Sequence, residues 1–188
     1  MPVFMTILGY IVGSMPTGYI AGRITRGVDI RLVGDGNMGA QNAFRQLGAA
    51  AGIWVFLIDA AKGMVVILLA QAADISPLSI VVVGTAAVAG HNWPVFLGFR
   101  GGRGEAVTIG ILLAVVTIPA IIAGILCLAV LWATRDVIKA SAAMFIPVPL
   151  LCWWFDTPGV MVALSIWLPC LVAFTHFLRV KPGLLRRA

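Results

Sequence analysis

Charged residues are scarce in this sequence. They make up 11% of its 188 residues, whereas hydrophobic residues make up 61%, and the mean hydropathy is +1.06. A soluble domain carries about 25% charged and about 45–50% apolar residues. The composition therefore excludes an ordinary soluble globule and a disordered chain. Apolar runs of about 20 residues recur along the whole chain, which predicts a polytopic membrane protein without a separate soluble domain.

Cysteine and histidine are also rare. The three cysteines (Cys127, Cys152 and Cys170) lie inside apolar runs, and their odd number excludes a disulfide framework. The two histidines are not spaced as metal ligands, so no metal and no other cofactor is predicted. The net charge of +6 is compatible with nucleic-acid binding, but the basic residues lie between apolar runs, where they orient a membrane protein. We therefore expect no nucleic-acid partner.

The basic residues also predict a topology for the apolar runs, which lie at about 3–21, 49–72, 77–97, 106–134, 140–155 and 158–178. They form four groups, all placed in the cytoplasm by the positive-inside rule: Arg23/Arg26/Arg31/Arg45, Arg100/Arg103, Arg135/Lys139 and Arg179/Lys181/Arg186/Arg187. A single span over 106–134 would put Arg135 outside. We therefore predict that this run folds back near Thr117–Pro119 as a pair of short, partly re-entrant helices.

The resulting prediction is one all-α polytopic membrane domain over residues 1–188. It has seven helical segments, with the amino terminus outside and the carboxyl terminus inside. The first run, roughly Val3 to Ala21, has no basic residue before it and has Arg23 and Arg26 after it. A cleaved signal peptide has the opposite flanks. This run is therefore predicted to remain in the protein as a helix.

A glycine-rich loop over residues 29–45 has the features of an anion site on the predicted cytoplasmic face. Three of its glycines let the backbone approach an anion and point N–H groups at it: Gly34, Gly36 and Gly39. A helix beginning near Gly39 would add its positive amino end and carry Asn42 and Arg45 on one face. A glycine-rich turn with solvated arginines fits the same pattern.

A second loop of the same kind follows His91. It contains four glycines and two arginines: Gly98, Gly101, Gly102, Gly104, Arg100 and Arg103. His91 fits either a proton acceptor or a core histidine bonded to a backbone carbonyl. Arg100 and Arg103 fit either anion binding or contact with lipid headgroups.

Asp59 and Lys62 are opposite charges three residues apart within an apolar run. Charges in such a run persist when they are paired or face a polar interior. We interpret them as a buried ion pair that supports the anion site, in preference to direct catalysis.

Four segments carry a family resemblance that extends over nearly the whole chain, through Thr134 and Arg135. They are GSMPTGY at 13–19, GDGNMGAQNAFR at 34–45, DAAKG at 59–63 and GHNWPVFLGFRGGRG at 90–104. In order and spacing they resemble the bacterial acyl-phosphate:glycerol-3-phosphate acyltransferases. The resemblance implies a seven-helix inner-membrane enzyme that moves an acyl chain from acyl-phosphate to the 1-hydroxyl of glycerol-3-phosphate. The product would be lysophosphatidic acid, in the first step of phospholipid synthesis.

The resemblance also implies roles for the loop residues. Arg45, His91 and Asp35 would be catalytic, with Arg45 the main cation. Substrate phosphates would be bound by Gly34, Gly36, Asn37, Gly39, Asn42, Arg45, Gly101, Gly102, Arg103 and Gly104. Either His91 or a substrate phosphate oxygen would take the hydroxyl proton. Because acyl-phosphate is already activated, no protein nucleophile is needed. A soluble enzyme that makes acyl-phosphate is an implied partner.

Several positions depart from the family pattern. Asp35 stands where the family has serine, and its carboxylate would repel phosphate unless protonated or paired with Arg31 or Arg45. The other departures are Arg100 and Arg103 in place of lysines, Glu105 in place of an apolar residue, and a 175–182 stretch without the usual asparagine and glutamate. A second hypothesis is therefore a catalytically silent or acceptor-altered paralogue that binds phosphorylated lipids or a partner protein. A transporter is disfavoured, because the polar residues cluster at one face.

Overall fold

The computed structural model describes residues 1–179, which form α-helices joined by short loops, with no β-strand in that part of the chain. The helices are α1 (Pro2–Gly13), α2 (Thr17–Arg26), α3 (Ala40–Leu47), α4 (Ala49–Ala72), α5 (Pro77–Asn92), α6 (Glu105–Val115), α7 (Thr117–Thr134), α8 (Val137–Phe145), α9 (Pro147–Trp154) and α10 (Gly159–Arg179). The all-α prediction is confirmed. Lys181, Arg186 and Arg187 of the fourth basic group lie outside the described residues.

Six stretches of the described chain are long and apolar enough to cross a membrane. They are Pro2–Arg26, Ala49–Ala72, Pro77–Leu97, Thr117–Thr134, Val137–Trp154 and Gly159–Arg179. The helix α6 is apolar too, but its 11 residues extend only about 16 Å against a hydrocarbon core of about 30 Å. Large apolar side chains such as Trp132 and Trp153 are exposed on the outer surface, as expected where a protein faces lipid.

The 106–134 run is broken at Val116, beside the predicted position. Pro119 has no N–H to donate to the carbonyl of Val115, which favours a break between the two helices at this point. The first arm, α6, is short, as predicted. The second arm, α7, is longer than predicted, because its 18 residues are enough to cross a membrane.

The first apolar run is two helices where a single helix was predicted. Pro16 lacks the N–H that would bond the carbonyl of Val12, and the N–H of Met15 donates to that carbonyl instead, at 3.2 Å. The carbonyl of Met15 thereby leaves the regular helical pattern. It accepts a hydrogen bond from Nζ of Lys62 on α4, at 3.0 Å.

Glycines bring two pairs of helices into backbone contact around the centre of the protein. At each crossing a Cβ atom on either of two glycines would overlap a carbonyl of the facing helix: Gly13 and Gly90 between α1 and α5, and Gly63 and Gly110 between α4 and α6. Small residues allow this close approach of membrane helices. Since α4 also packs on α5, these crossings bring Lys62 against His91 near the end of α5.

Candidate active site

Asn42 organises the first glycine-rich loop from its buried position on α3. The two N–H bonds of its Nδ2 are shared among three backbone carbonyls of the loop, those of Ile30 (3.2 Å), Val33 (3.0 Å) and Asn37 (2.7 Å). Its Oδ1 accepts from the N–H of Asp35 at 3.3 Å. Both ends of the amide are therefore used within the loop. This geometry favours a loop-shaping role for Asn42 over the predicted direct contact with phosphate.

Gly34 and Gly36 give the loop its tight turn, with φ values of 62° and 73°. These left-handed conformations suit glycine. A side chain at Gly34 would also overlap Oδ1 of Asn42. The N–H of Gly36 donates to the carbonyl of Val33 at 3.2 Å, so it is not free to bind an anion.

The helix α3 begins at Ala40, directly after Gly39, in agreement with the prediction of a helix start near that glycine. Within the described residues 1–179 no side chain caps its first turn, so this end keeps unpaired N–H groups and a partial positive charge. Arg45 follows on the same helix and is exposed. In residues 1–179 Arg45 forms no ion pair, so its charge is available to a ligand.

Asp35 is paired with Arg103 of the second loop, and not with Arg31 or Arg45, the two partners considered from the sequence. The distance from its Oδ2 to Nη2 of Arg103 is 3.4 Å, and its Oδ1 accepts from the N–H of Asn37 at 3.0 Å. The carboxylate thus partly neutralises an arginine and ties the two loops together.

Arg31 is unavailable to Asp35 because Asp29 binds it through two hydrogen bonds, at 3.0 and 2.7 Å. The hydrogen bonds from Arg31 hold the pKa of the Asp29 carboxyl below its usual value. The guanidinium also donates to the carbonyl of Leu97 at 3.1 Å. This second link between the loops was not predicted, because its acceptor is a backbone atom 66 residues away.

The second loop is fastened to the ends of α5 and α10. The N–H of Gly101 donates to the carbonyl of Asn92 (3.2 Å), and that of Gly102 to the carbonyl of His91 (3.0 Å). Arg179, which the sequence suggested only as a topology determinant, donates to the carbonyls of Asn92, Gly101 and Gly102. The amides of Gly101 and Gly102 are therefore used within the loop, and the predicted amide contacts to phosphate at these glycines are not available.

Asp59, Lys62 and His91 form a buried cluster beneath the second loop. Nζ of Lys62 lies 2.8 Å from Oδ1 of Asp59 and 2.9 Å from Nδ1 of His91. The contact with Asp59 is a charge contact whose geometry is too oblique for a hydrogen bond. The predicted ion pair between Asp59 and Lys62 is thus present, and it includes His91.

Two cavities meet at the loops. The larger, of about 1640 Å³, has a mostly apolar wall and a polar end that contains Asn37, Gly39, Arg45, His91, Arg103 and Gly104. The smaller, of about 400 Å³, is polar and is lined by Asp29, Arg31, Asp35, Gly36, Asn37, Arg100, Gly101, Arg103 and Arg179, with Leu32 and Phe99. Asn37 and Arg103 line both cavities and lie between them. Buried Oδ1 of Asn37 and Nε of Arg103 have no hydrogen-bond partner in the described chain, so a ligand can satisfy them.

A polar pair interrupts the apolar wall of the larger cavity. Ser141 of α8 donates a short hydrogen bond to Glu105 at the start of α6. Glu105 stands out in the sequence as a departure from the family pattern. Ser141 was not predicted, because its partner lies 36 residues away and no local pattern in α8 identifies it. Among residues 1–179, no group of three or more histidine, cysteine or acidic side chains is close enough to hold a metal ion.

The fold and the site define an integral membrane protein with a cationic, glycine-lined site that opens into an apolar cavity. Comparison with known proteins gives the family: the glycerol-3-phosphate acyltransferase family model matches residues 3–182. Glycerol-3-phosphate acyltransferase 4 of Dehalococcoides mccartyi is 51% identical over 95% of this chain and 97% of its own length. The chain therefore belongs to the glycerol-3-phosphate acyltransferase family.

Other relatives agree with this assignment. Glycerol-3-phosphate acyltransferase 2 of Moorella thermoacetica is 39% identical over 81% of this chain and 78% of its own. The crystal structure of PlsY (YgiH), an integral membrane glycerol 3-phosphate acyltransferase, in its glycerol 3-phosphate form superposes with a TM-score of 0.88. It is 31% identical, and the match covers 99% of this chain and 93% of the crystallised one. The lysophosphatidic acid form of PlsY has a TM-score of 0.86 and 30% identity.

Proposed function

We propose that this protein transfers an acyl chain from acyl-phosphate to the 1-hydroxyl of glycerol-3-phosphate and releases inorganic phosphate. The product is lysophosphatidic acid. The observation that carries the proposal is the larger cavity, whose apolar wall ends at the amino end of α3 and at Arg45, which has no acidic partner in residues 1–179. Such a cavity fits a molecule with a long tail and an anionic head. Membership of the glycerol-3-phosphate acyltransferase family supports the identity of the acceptor.

Arg45 and the amino end of α3 are the leading phosphate-binding groups. The uncapped turn provides N–H donors beside Gly39, and Arg45 provides a free planar guanidinium. Arg103 and Asn37, between the cavities, are positioned to contact both substrates, since each presents a buried polar atom without a partner in residues 1–179. Gly104 precedes the first residue of α6 and lines the larger cavity, so its backbone forms part of the proposed substrate site.

The chemistry fits a site that has cations but needs no protein nucleophile. The glycerol oxygen attacks the acyl carbon, the bond between that carbon and the phosphate oxygen breaks, and phosphate leaves with its electrons. The hydroxyl proton passes to a base, for which the candidates are a substrate phosphate oxygen and His91. The protein brings two anionic substrates together and stabilises the charge that develops on the carbonyl oxygen and the leaving phosphate.

The expected location is the bacterial inner membrane, with both loops facing the cytoplasm. The positions of Arg23, Arg31, Arg100 and Arg135 support this orientation through the positive-inside rule. Seven helical segments, an outer amino terminus and an inner carboxyl terminus follow from the same argument, within one domain over residues 1–188. Acyl-phosphate would come from a soluble partner enzyme on the cytoplasmic side, and membrane lipids surround the apolar surface.

A silent or acceptor-altered paralogue is not favoured. One of the departures behind that alternative was the Asp35 carboxylate, which would repel phosphate if it were unpaired. The contact between Asp35 and Arg103, at 3.4 Å, offsets the negative charge inside the site. The relatives that match across the chain also carry the acyltransferase name.

The direct test is turnover by the purified protein in detergent or vesicles supplied with acyl-phosphate and glycerol-3-phosphate. We expect inorganic phosphate and lysophosphatidic acid to form in equal amounts. Release of phosphate without lysophosphatidic acid would contradict the proposed acceptor, and a screen of other hydroxyl compounds would follow. The absence of both products in well-folded protein would contradict the proposed activity.

Replacing Asp35 by serine should raise kcat/KM for glycerol-3-phosphate about five-fold, the effect of about 1 kcal/mol expected for a partly exposed ion pair. The carboxylate competes with substrate phosphate for Arg103, so its removal makes that guanidinium available. Asp35→Asn is the matched control, because it removes the charge and keeps an oxygen that can accept from the N–H of Asn37. A fall in kcat in both variants would instead assign the carboxylate an active part in the reaction.

A further inference from the structure

Lys62 has an unusually complete set of partners for a buried ammonium group. The side chains of Lys62 and Asp59 are only 4% and 1% exposed, and that of His91 is 3% exposed. Nζ of Lys62 lies 3.0 Å from the carbonyl of Met15, 2.9 Å from Nδ1 of His91 and 2.8 Å from Oδ1 of Asp59. An ammonium group has three N–H bonds and no lone pair. Two of its protons thus meet the acceptors of Met15 and His91, and the carboxylate of Asp59 lies in direct charge contact with it.

The proton between Nζ of Lys62 and Nδ1 of His91 is bound to Lys62 and not to His91. A lysine amine ordinarily holds its proton about four pH units more tightly than an imidazole does. The Asp59 carboxylate strengthens this preference, because Oδ1 is 2.8 Å from Nζ of Lys62 but 3.7 Å from Nδ1 of His91.

If Lys62 carries the positive charge, only one protonation state of the His91 imidazole is compatible with their contact. Two N–H groups cannot face each other at 2.9 Å, so Nδ1 must present its lone pair to the ammonium. The imidazole is then neutral, and its only proton is on Nε2. This atom faces the second loop, because a Cβ atom on Gly102 would overlap it.

Nε2 is also positioned toward the site. His91 lines the larger cavity, and Nε2 has no hydrogen-bond partner within the part of the chain that the structure describes. An N–H donor there can be satisfied by an anionic oxygen of a bound substrate. It cannot accept a proton, because a ring nitrogen that carries a hydrogen has no in-plane lone pair left to bind another.

We propose that Lys62 is a positioning residue that fixes His91 in the Nε2–H tautomer, so that His91 donates a hydrogen bond to an anionic substrate oxygen and does not act as a base. The inference rests on the proposed function for the nature of that oxygen. The tautomer itself is a property of the unliganded protein, and it can be measured without turnover.

The test is ¹⁵N NMR of the full-length protein in detergent with its histidines labelled. The chain has only two histidines, so a His176→Gln sample assigns the signals. We expect His91 to show a protonated Nε2 and a bare Nδ1. Glycerol-3-phosphate and a non-hydrolysable acyl phosphonate, added separately, should reveal which anion shifts Nε2. A protonated Nδ1, an imidazolium, or an Nε2 that neither probe shifts would each overturn the proposal.

Lys62→Met removes the donor and tests the positioning role. We expect the single tautomer to be lost, with kcat reduced about 100-fold, the typical effect of a mispositioned catalytic group, and KM nearly unchanged. Lys62→Gln retains an N–H donor and is the matched control, in which the Nε2–H tautomer should persist. An unchanged His91 spectrum in Lys62→Met would overturn the role of Lys62. If the wild-type protein gives the expected spectrum but no turnover, the proposed function fails while the tautomer assignment stands.

Discussion

Replacing Gly102 by alanine is expected to lower kcat at least about 100-fold, because a misplacement of about 1 Å in a site can have that effect. The added Cβ would overlap Nε2 of His91 and approach the rest of the ring. A flexible side chain could turn aside. The imidazole cannot do so freely, since Nδ1 is held by Lys62 and the N–H of Gly102 is bonded to the carbonyl of His91.

Gly124→Ala is the matched control for this substitution. Gly124 lies on α7 with open space around it, so a Cβ atom there meets no atom of residues 1–179 within 4 Å. Alanine is also the better helix former, by about 1 kcal/mol. We expect normal turnover and an equal or higher Tm for Gly124→Ala, measured beside Gly102→Ala with purified protein in detergent. Normal kcat in a folded Gly102→Ala protein would contradict the assignment of His91 to the site.

The apolar runs and their break near Thr117 could be predicted because both signals are local. The length of an apolar run indicates whether it can span the membrane. Arg135 and Lys139 belong on the cytoplasmic side by the positive-inside rule, so the chain had to reverse direction within the 106–134 run, and Pro119 marks a place where the helix can break. The break at Pro16 was missed, although the proline is visible in the sequence. The apolar residues continue on both sides of it, and its clearest structural consequence, the contact between Met15 and Lys62, joins residues 47 positions apart.

The site was predictable at the level of loops and less so at the level of atoms. Glycine spacing correctly indicated where the backbone turns, and the start of α3 followed from it. Which amides remain free depends on distant partners, and Arg179 is 77 residues from the Gly102 carbonyl that it holds. Asp35 likewise pairs with Arg103 because the two loops fold against each other, a placement that no local pattern records.

The second large effect is expected at Arg45. Its guanidinium lines the larger cavity one turn beyond the uncapped start of α3, and no carboxylate in residues 1–179 neutralises it. Its full charge and its fork of N–H donors are therefore available to a phosphate group. Arg45→Ala should lower kcat/KM about 1000-fold, close to the 4 kcal/mol that one preorganised donor to developing charge contributes. Steady-state kinetics with both substrates measures this loss.

Two further variants separate charge from shape and position. Arg45→Lys keeps the positive charge but loses the planar pair of donors, so its kcat/KM should lie between those of the wild type and Arg45→Ala. Arg26→Ala removes an exposed arginine that lines neither cavity, and its kinetics should match the wild type. Equal losses in Arg26→Ala and Arg45→Ala would mean that overall positive charge attracts the substrates. Loss confined to Arg45 would mean that this guanidinium contacts a phosphate, because long-range attraction does not distinguish two exposed cations of one protein.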